Sequence, residues 1–267
     1  MFQSKCVFYT IVATFISASA TLLASGGIDD DFSTYPAGTQ FENNPFANEK
    51  GWAWTALPLA KNEGSVEVIA ADGDPQILKV DLPFLAAGVG HWRLLAELDQ
   101  PLEHVDDHHI KLQIVLRIPD LSFPMDFVVG IVAPARSKPL SLGAEDLQTI
   151  FRFLMSPDTG RALFSYVSWA DGGNADTVNY RPVPSFEVRE GEWYRISVVF
   201  KPQQQTYDLE VQTEDGSAVF EALDVEWARQ LPGTSGVAFK NRTTNDLRGA
   251  RFDLRHVALE ATVPGSE

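Results

Sequence analysis

The side chains best suited to holding a ligand cluster around Ser168-Trp169-Ala170-Asp171-Gly172-Gly173-Asn174-Ala175-Asp176. An indole stacks on the C–H face of a sugar, while amides and carboxylates beside it bind the hydroxyls. Trp169 ends an apolar run and leads into a glycine-rich loop with Asp171 and Asn174, and Tyr180 and Arg181 follow. These five residues are predicted to bind ligand, with Arg93 and Gln113 joining them from outward positions on separate strands. Trp52 and Trp54 form a second aromatic candidate, whereas Trp92 and Trp193 read as packing residues within strands.

Other residue sets suit other chemistry. Eliminative cleavage of an acidic polysaccharide needs a cation beside the uronate, a Tyr or His base, and an amide or guanidinium nearby. His91, Arg93, Gln113, Arg117 and Arg152 occupy outward positions on successive strands, although polar residues there are also what a solvated sheet face shows. Glu97, Asp99 and Glu103 are a weaker set: a retaining glycosidase holds its carboxyls about 5 Å apart, and Pro101 is expected to end this strand in a turn. Oxygen ligands for a structural Ca²⁺ occur at Asp171, Asn174 and Asp176, without the twelve-residue loop spacing that would make them specific. They occur again at Asp29, Asp30 and Asp31, of which Asp30 and Asp31 are the predicted ligands beside Asp253 if the first and last strands pair. Asp106-Asp107-His108-His109 reads as a solvated turn, because adjacent histidines on an extended chain point oppositely. Asn241-Arg242-Thr243 matches the glycosylation acceptor pattern.

The elements that must position these groups are strands. In Tyr194-Arg195-Ile196-Ser197-Val198-Val199-Phe200 the apolar residues fall on one face and Arg195 and Ser197 on the other. Tyr207, Leu209 and Val211 repeat the pattern beyond the polar turn Lys201-Pro202-Gln203-Gln204-Gln205. Ile110 to Ile118 alternates for its whole length, and Phe127 to Val132 is apolar throughout, as suits a strand buried on both faces. Further strands are expected at 65–69, 76–82, 92–98, 149–155, 162–169, 236–240 and 251–259, with 223–230 either a short helix or an extended loop. About a dozen strands with almost no helical period predict an all-β sandwich or barrel.

The chain has 267 residues, a hydrophobic fraction of 45% and a formal charge of -15. That acidity repels phosphates, so no nucleic acid and no anionic membrane is expected as a partner. It also weighs against a polyanionic substrate unless a local basic groove overrides it. Lys5, the apolar run from Cys6 to Leu23 and the small residues Ala18-Ser19-Ala20 read as a secretory signal peptide over 1–24, with no membrane span after its cleavage. Its removal takes away the only cysteine, so the exported domain relies on its core. One domain over 27–262 and a polar tail over 263–267 are expected, in a periplasmic or extracellular setting.

The opening DDFSTYPAGT, the central GEWYRISVVF with TYDLEVQTEDGSAVF, SGVAFKNRT and the final RFDLRHVALE resemble the laminin-G-like, concanavalin A-like jelly-roll domains of exported bacterial proteins. The resemblance runs from about Asp29 to Leu259 and rests on structural motifs rather than catalytic ones. It implies two curved antiparallel sheets, adjacent first and last strands, and a concave face that holds a saccharide in many relatives. The expected function is non-catalytic binding of a polysaccharide or surface glycan, with no required cofactor. The alternatives are a polysaccharide lyase or glycoside hydrolase on the concave face, and a structural envelope protein.

Overall fold

A computed structural model describes residues 26–41, 46–47, 51–57, 64–70, 75–82, 92–104, 108–134, 147–156, 161–168, 180–227, 231–241 and 249–263. The signal segment expected over 1–24 lies outside these residues, as do His91, Trp169, Asp171, Asn174 and Asp176. Among the described residues all regular structure is strand, and no helix is long and apolar enough to cross a membrane.

In chain order the strands are β1 (Ile28–Asp30), β2 (Phe46–Ala47), β3 (Trp52–Leu57), β4 (Ser65–Ile69), β5 (Ile77–Leu82), β6 (Arg93–Glu103), β7 (His109–Arg117) and β8 (Asp126–Val132). They continue with β9 (Leu147–Ser156), β10 (Arg161–Val167), β11 (Tyr180–Glu187), β12 (Trp193–Lys201), β13 (Thr206–Thr213), β14 (Ala218–Glu226), β15 (Gly233–Asn241) and β16 (Ala250–Thr262). The first sheet runs β14-β13-β12-β7-β16-β5-β4, with β1 also pairing β16. The second runs β11-β10-β9-β8-β15-β6-β3-β2. Every ladder between these strands is antiparallel, and the first and last strands lie side by side as expected.

Period-two patterning sets which side chains meet between the sheets. Tyr194, Ile196, Val198 and Phe200 of β12 and Tyr207, Leu209 and Val211 of β13 all point inward and are buried. Phe252 on β16 reaches across to Trp92, Phe127 and Phe239 of the second sheet, with ring centroids 6.4, 4.7 and 5.5 Å away. Each such ring removes a large apolar area from water, which makes this seam a main source of stability. Strand β8 is buried at every position, as its unbroken apolar run predicts.

Two local expectations are corrected. Strand β6 continues through Pro101 to Glu103, and its register with β15 shifts between Thr234 and Gly236, opposite this stretch. A proline lacks the ladder donor, so it is tolerated where pairing is already interrupted. Residues 223–226 belong to strand β14 rather than to a helix. A register shift between Tyr207 and Leu209 places the extra residues of β14 in a bulge, where Asp224 takes φ 50° and Leu223 turns out to solvent. The bulge removes the alternation by which the strand would be recognised.

Candidate functional site

The carboxylates expected to hold a cation are engaged elsewhere. Asp30 Oδ1 accepts from the Phe32 amide at 2.9 Å, while Oδ2 accepts from the Tyr35 hydroxyl at 2.9 Å and from the indole N–H groups of Trp52 and Trp54 at 3.3 and 2.8 Å. A carboxylate surrounded by donors is a buried structural acceptor that ties β1 to β3 across the sandwich. The same bonds bury Trp52 and Trp54, so neither is a platform for sugar. Asp253 accepts from Arg117 Nε at 2.7 Å, and burial pushes its carboxyl above the ordinary range while Arg117 opposes that shift. Register separates the two: Asp30 lies opposite Val257, four residues along β16 from Asp253, or roughly 13 Å of strand. Asp31 Oδ1 accepts from the Ser33 amide and hydroxyl. These three residues do not fit a shared Ca²⁺, and no metal-binding cluster occurs among the described residues.

The predicted ligand residues divide between opposite faces of the sandwich. Arg93, Lys240, Val128, Arg152, Ser165 and Pro182 are successive partners across β6, β15, β8, β9, β10 and β11, so they share the outer face of the second sheet. Arg152 there is held by Asp126 through paired bonds of 2.6 Å, with both residues buried, and its guanidinium lies 5.0 Å from the Tyr180 ring. Leu95, Val128, Val132, Leu147 and Ala238 form a small buried apolar cluster on that face, with Tyr180 against it. Arg181 pairs with Tyr166, whose side chain packs on the main core, so Tyr180 and Arg181 project to opposite sides of β11. A strand's alternation forbids the shared site that their adjacency suggests.

Gln113 lies on the other side of the molecule. On the outer face of the first sheet, His256, Val115, Arg195 and Gln212 are successive partners across β16, β7, β12 and β13. The neighbouring row is Ala258, Gln113, Ser197 and Glu210. A pocket of about 330 Å³ opens over these rows, with Val115, Gln113, Arg195 and His256 among its lining and Pro75, Trp193, Asp31, Glu214 and Arg255 around them. His256 and Arg195 flank Val115, so their backbones stand roughly 10 Å apart, two strand spacings. Small residues at Ser197 and Ala258 leave the side chain of Gln113 without bulky neighbours in its row.

The charged walls of this pocket are bonded to carboxylates at its rim. Arg255 Nη1 donates to Glu214 Oε1 at 2.6 Å, and His256 Nε2 donates to Asp29 Oδ1 at 2.8 Å. The guanidinium carbons of Arg255 and Arg117 lie 4.2 and 4.6 Å from the Trp193 ring centroid, which buries that indole. Burial pushes the Tyr194 phenol up to about 12, and its hydroxyl donates to Glu192 while accepting from the Arg189 amide, so it stays protonated. Gln113 and the exposed Arg195 are different: neither side chain makes a hydrogen bond or ion pair with another described residue. The site therefore offers a neutral amide, a guanidinium and an imidazole over an apolar floor. Of its residues only Gln113 and Asp31 stood among the predicted site residues. The outward position of Arg195 was legible from alternation, but its alignment with Val115 and His256 depends on cross-strand register and on a bulge between Leu254 and His256.

No protein-family model and no curated protein matches the chain. Solved structures do. A protein of unknown function from Shewanella oneidensis MR-1 superposes with a TM-score of 0.54 at 9% identity, covering 86% of this chain and 87% of its own. Lectin II from Ulex europaeus superposes with a TM-score of 0.51 at 12% identity, covering 90% of this chain and all of its own. The shared feature is the fold, a concanavalin A-like jelly-roll sandwich of two antiparallel sheets.

Proposed function

We propose that the protein is an exported, non-catalytic glycan-binding jelly roll of the laminin-G-like kind, and that the pocket over Val115 is its ligand site. The observation that carries the reading is the presence of two planar hydrogen-bonding side chains, Gln113 and Arg195, that bond to no other described side chain, above an apolar floor in a pocket of about 330 Å³. Sugars present pairs of hydroxyls on adjacent carbons, which planar amides and guanidinium groups bind two at a time, and C–H patches that rest on Val115 and Pro75. The volume falls within the range of roughly 300–1,000 Å³ typical of small-molecule sites. The leader over 1–24, the domain over 27–262 and the loop at Trp169, Asp171 and Asn174 remain part of this proposal, the loop as a second aromatic contact for an extended chain of sugars.

The test is retention of the full mature chain on gels containing a panel of polysaccharides. Wild type is expected to be retarded on at least one gel, and Gln113→Ala to lose most of that retardation with its circular dichroism unchanged. Failure of wild type on every gel would sink the reading. Retention unaffected by Gln113→Ala would move the site away from this pocket.

One observation favours a second reading, a polysaccharide lyase. His256, oriented by Asp29, faces Arg195 across Val115, which places a base and a charge-neutralising cation in one pocket. Appearance of an unsaturated product from an acidic polysaccharide, lost in His256→Gln, would establish it. Absence of product from any acidic polysaccharide would retire it.

A further inference from the structure

The formal charge of the chain is -15, yet the described side chains that edge this pocket and bond to no other described residue are cationic or neutral. Among the described residues, the carboxylates beside it are engaged: Glu214 by Arg255, Asp29 by His256 and Asp31 by the Ser33 turn. Among the described residues Arg195 has no carboxylate partner, although it sits one strand from Val115 in the middle of the sheet. A guanidinium offers five donors in a planar fork and accepts nothing. A hydroxyl answers one prong of that fork, whereas a carboxylate or sulfate answers two in parallel, with shorter, charge-assisted bonds.

From the glycan reading above, on which this step rests, we infer that the sugar unit seated over Val115 carries an anionic group, a carboxylate or a sulfate ester, bound by Arg195. Gln113, two residues along β7 from Val115, has both a donor and an acceptor to give to the hydroxyls of the same unit. His256 faces Arg195 from the opposite wall and offers its remaining ring nitrogen. The overall negative charge does not prevent this. At physiological ionic strength, charges beyond about 8 Å are largely screened, whereas a guanidinium in contact acts at about 3 Å. Distant acidic residues slow the approach of an anionic chain and leave the contact itself almost intact.

The experiment compares three oligosaccharide probes of equal length by titration calorimetry on the full mature chain: trigalacturonate, a sulfated galactotriose and neutral galactotriose. At least one anionic probe is expected to bind roughly tenfold or more tightly than the neutral one, the span of one good charge-assisted contact. Arg195→Gln should bring that anionic probe to within about twofold of the neutral one, and Arg195→Lys should restore part of the difference. Arg195 is exposed, so neither variant is expected to unfold; thermal melting checks this, and Arg189→Gln, outside the pocket, serves as the control. The two anionic arms separate carboxylate from sulfate recognition. Neutral and anionic probes bound equally well would overturn the inference and leave the glycan reading standing. An anionic preference that survives Arg195→Gln would overturn the role of Arg195. Binding of none of the three, together with no retention on any polysaccharide gel, would remove the glycan reading and this inference with it.

Discussion

The outer faces of the two sheets carry the same residue types and use them differently. On the second sheet, Arg152 is clamped by Asp126 through two short bonds and buried against Tyr180. On the first sheet, the side chain of Arg195 is exposed and bonded to no other described residue, and the bonded pairs Arg255–Glu214 and His256–Asp29 lie at the pocket's edge. A buried cation without its carboxylate would carry an uncompensated desolvation penalty, so Arg152 is fixed to the fold. An exposed cation carries no such penalty and is available to a ligand. Residue type alone therefore does not separate structure from recognition; the commitment of each donor does.

The largest effect should come from breaking the committed face. Asp126→Asn leaves Arg152 buried without the carboxylate charge that compensates it and with one of the two acceptor oxygens gone, and should cost about 3–5 kcal/mol in urea denaturation. Replacing both partners together, Asp126→Leu with Arg152→Met, should recover most of that loss, because the apolar pair needs no solvation. A single variant as stable as wild type would show that Arg152 is no more committed than Arg195.

Next in size is Asp30→Asn, which tests a carboxylate tied to the core against those at the pocket. Four donors converge on its two oxygens, so an amide turned toward the indoles should cost about 2–3 kcal/mol. Any shift in melting temperature on adding Ca²⁺ should be the same in wild type and Asp30→Asn, since a cation bound at Asp30 would stabilise only the wild-type folded state by mass action. A calcium-dependent rise confined to wild type would reinstate a metal site at Asp30.

A third test uses pH. His104 Nδ1–H donates to the Leu231 carbonyl at 2.7 Å, its Nε2 accepts from the Thr234 hydroxyl at 2.9 Å, and its ring lies tilted against Trp227. Both bonds suit the neutral ring, and burial lowers its pKa below the ordinary 6.5. The unfolded chain thus takes up this proton more readily, so stability contributed above pH 6.5 is lost as pH falls below it. His104→Gln should flatten that part of the urea-midpoint profile.

How far these distinctions were legible in the sequence follows from what a periodic pattern encodes. Alternation assigned Tyr194, Ile196, Val198 and Phe200 to the core and Arg195 to the outside, and the unbroken run in β8 marked burial on both faces. Alternation does not state which residue lies opposite which. Asp30 and Asp253 could share an ion only in a register that the β1–β16 ladder does not adopt. Tyr180 and Arg181 are adjacent in sequence, and for that reason they are on opposite faces. Gln113 and Arg93 both point outward, from different sheets, and so line different sides of the molecule. Irregularities are the other blind spot: the bulge at Asp224 hid the end of a strand, and the shift opposite Pro101 concealed its continuation.

The smallest change is the most discriminating. Glu214→Gln removes one carboxylate from the pocket's rim and releases Arg255, which it holds at 2.6 Å. Glu214 is 61% exposed, so the pair resembles a surface ion pair, worth at most ~1 kcal/mol, and melting should barely move. If the first sheet's outer face serves recognition, the same substitution should tighten binding of an anionic trisaccharide a few-fold and leave a neutral one unaffected, with the gain fading as salt is raised. The contrast with Asp126→Asn is then complete. One lost carboxylate would destabilise the fold and improve nothing, while the other would leave the fold intact and strengthen ligand binding. Should Glu214→Gln instead destabilise the protein and weaken the anionic probe, Glu214 would belong to the fold in the way that Asp126 does, and the difference between the two faces would be one of exposure without function.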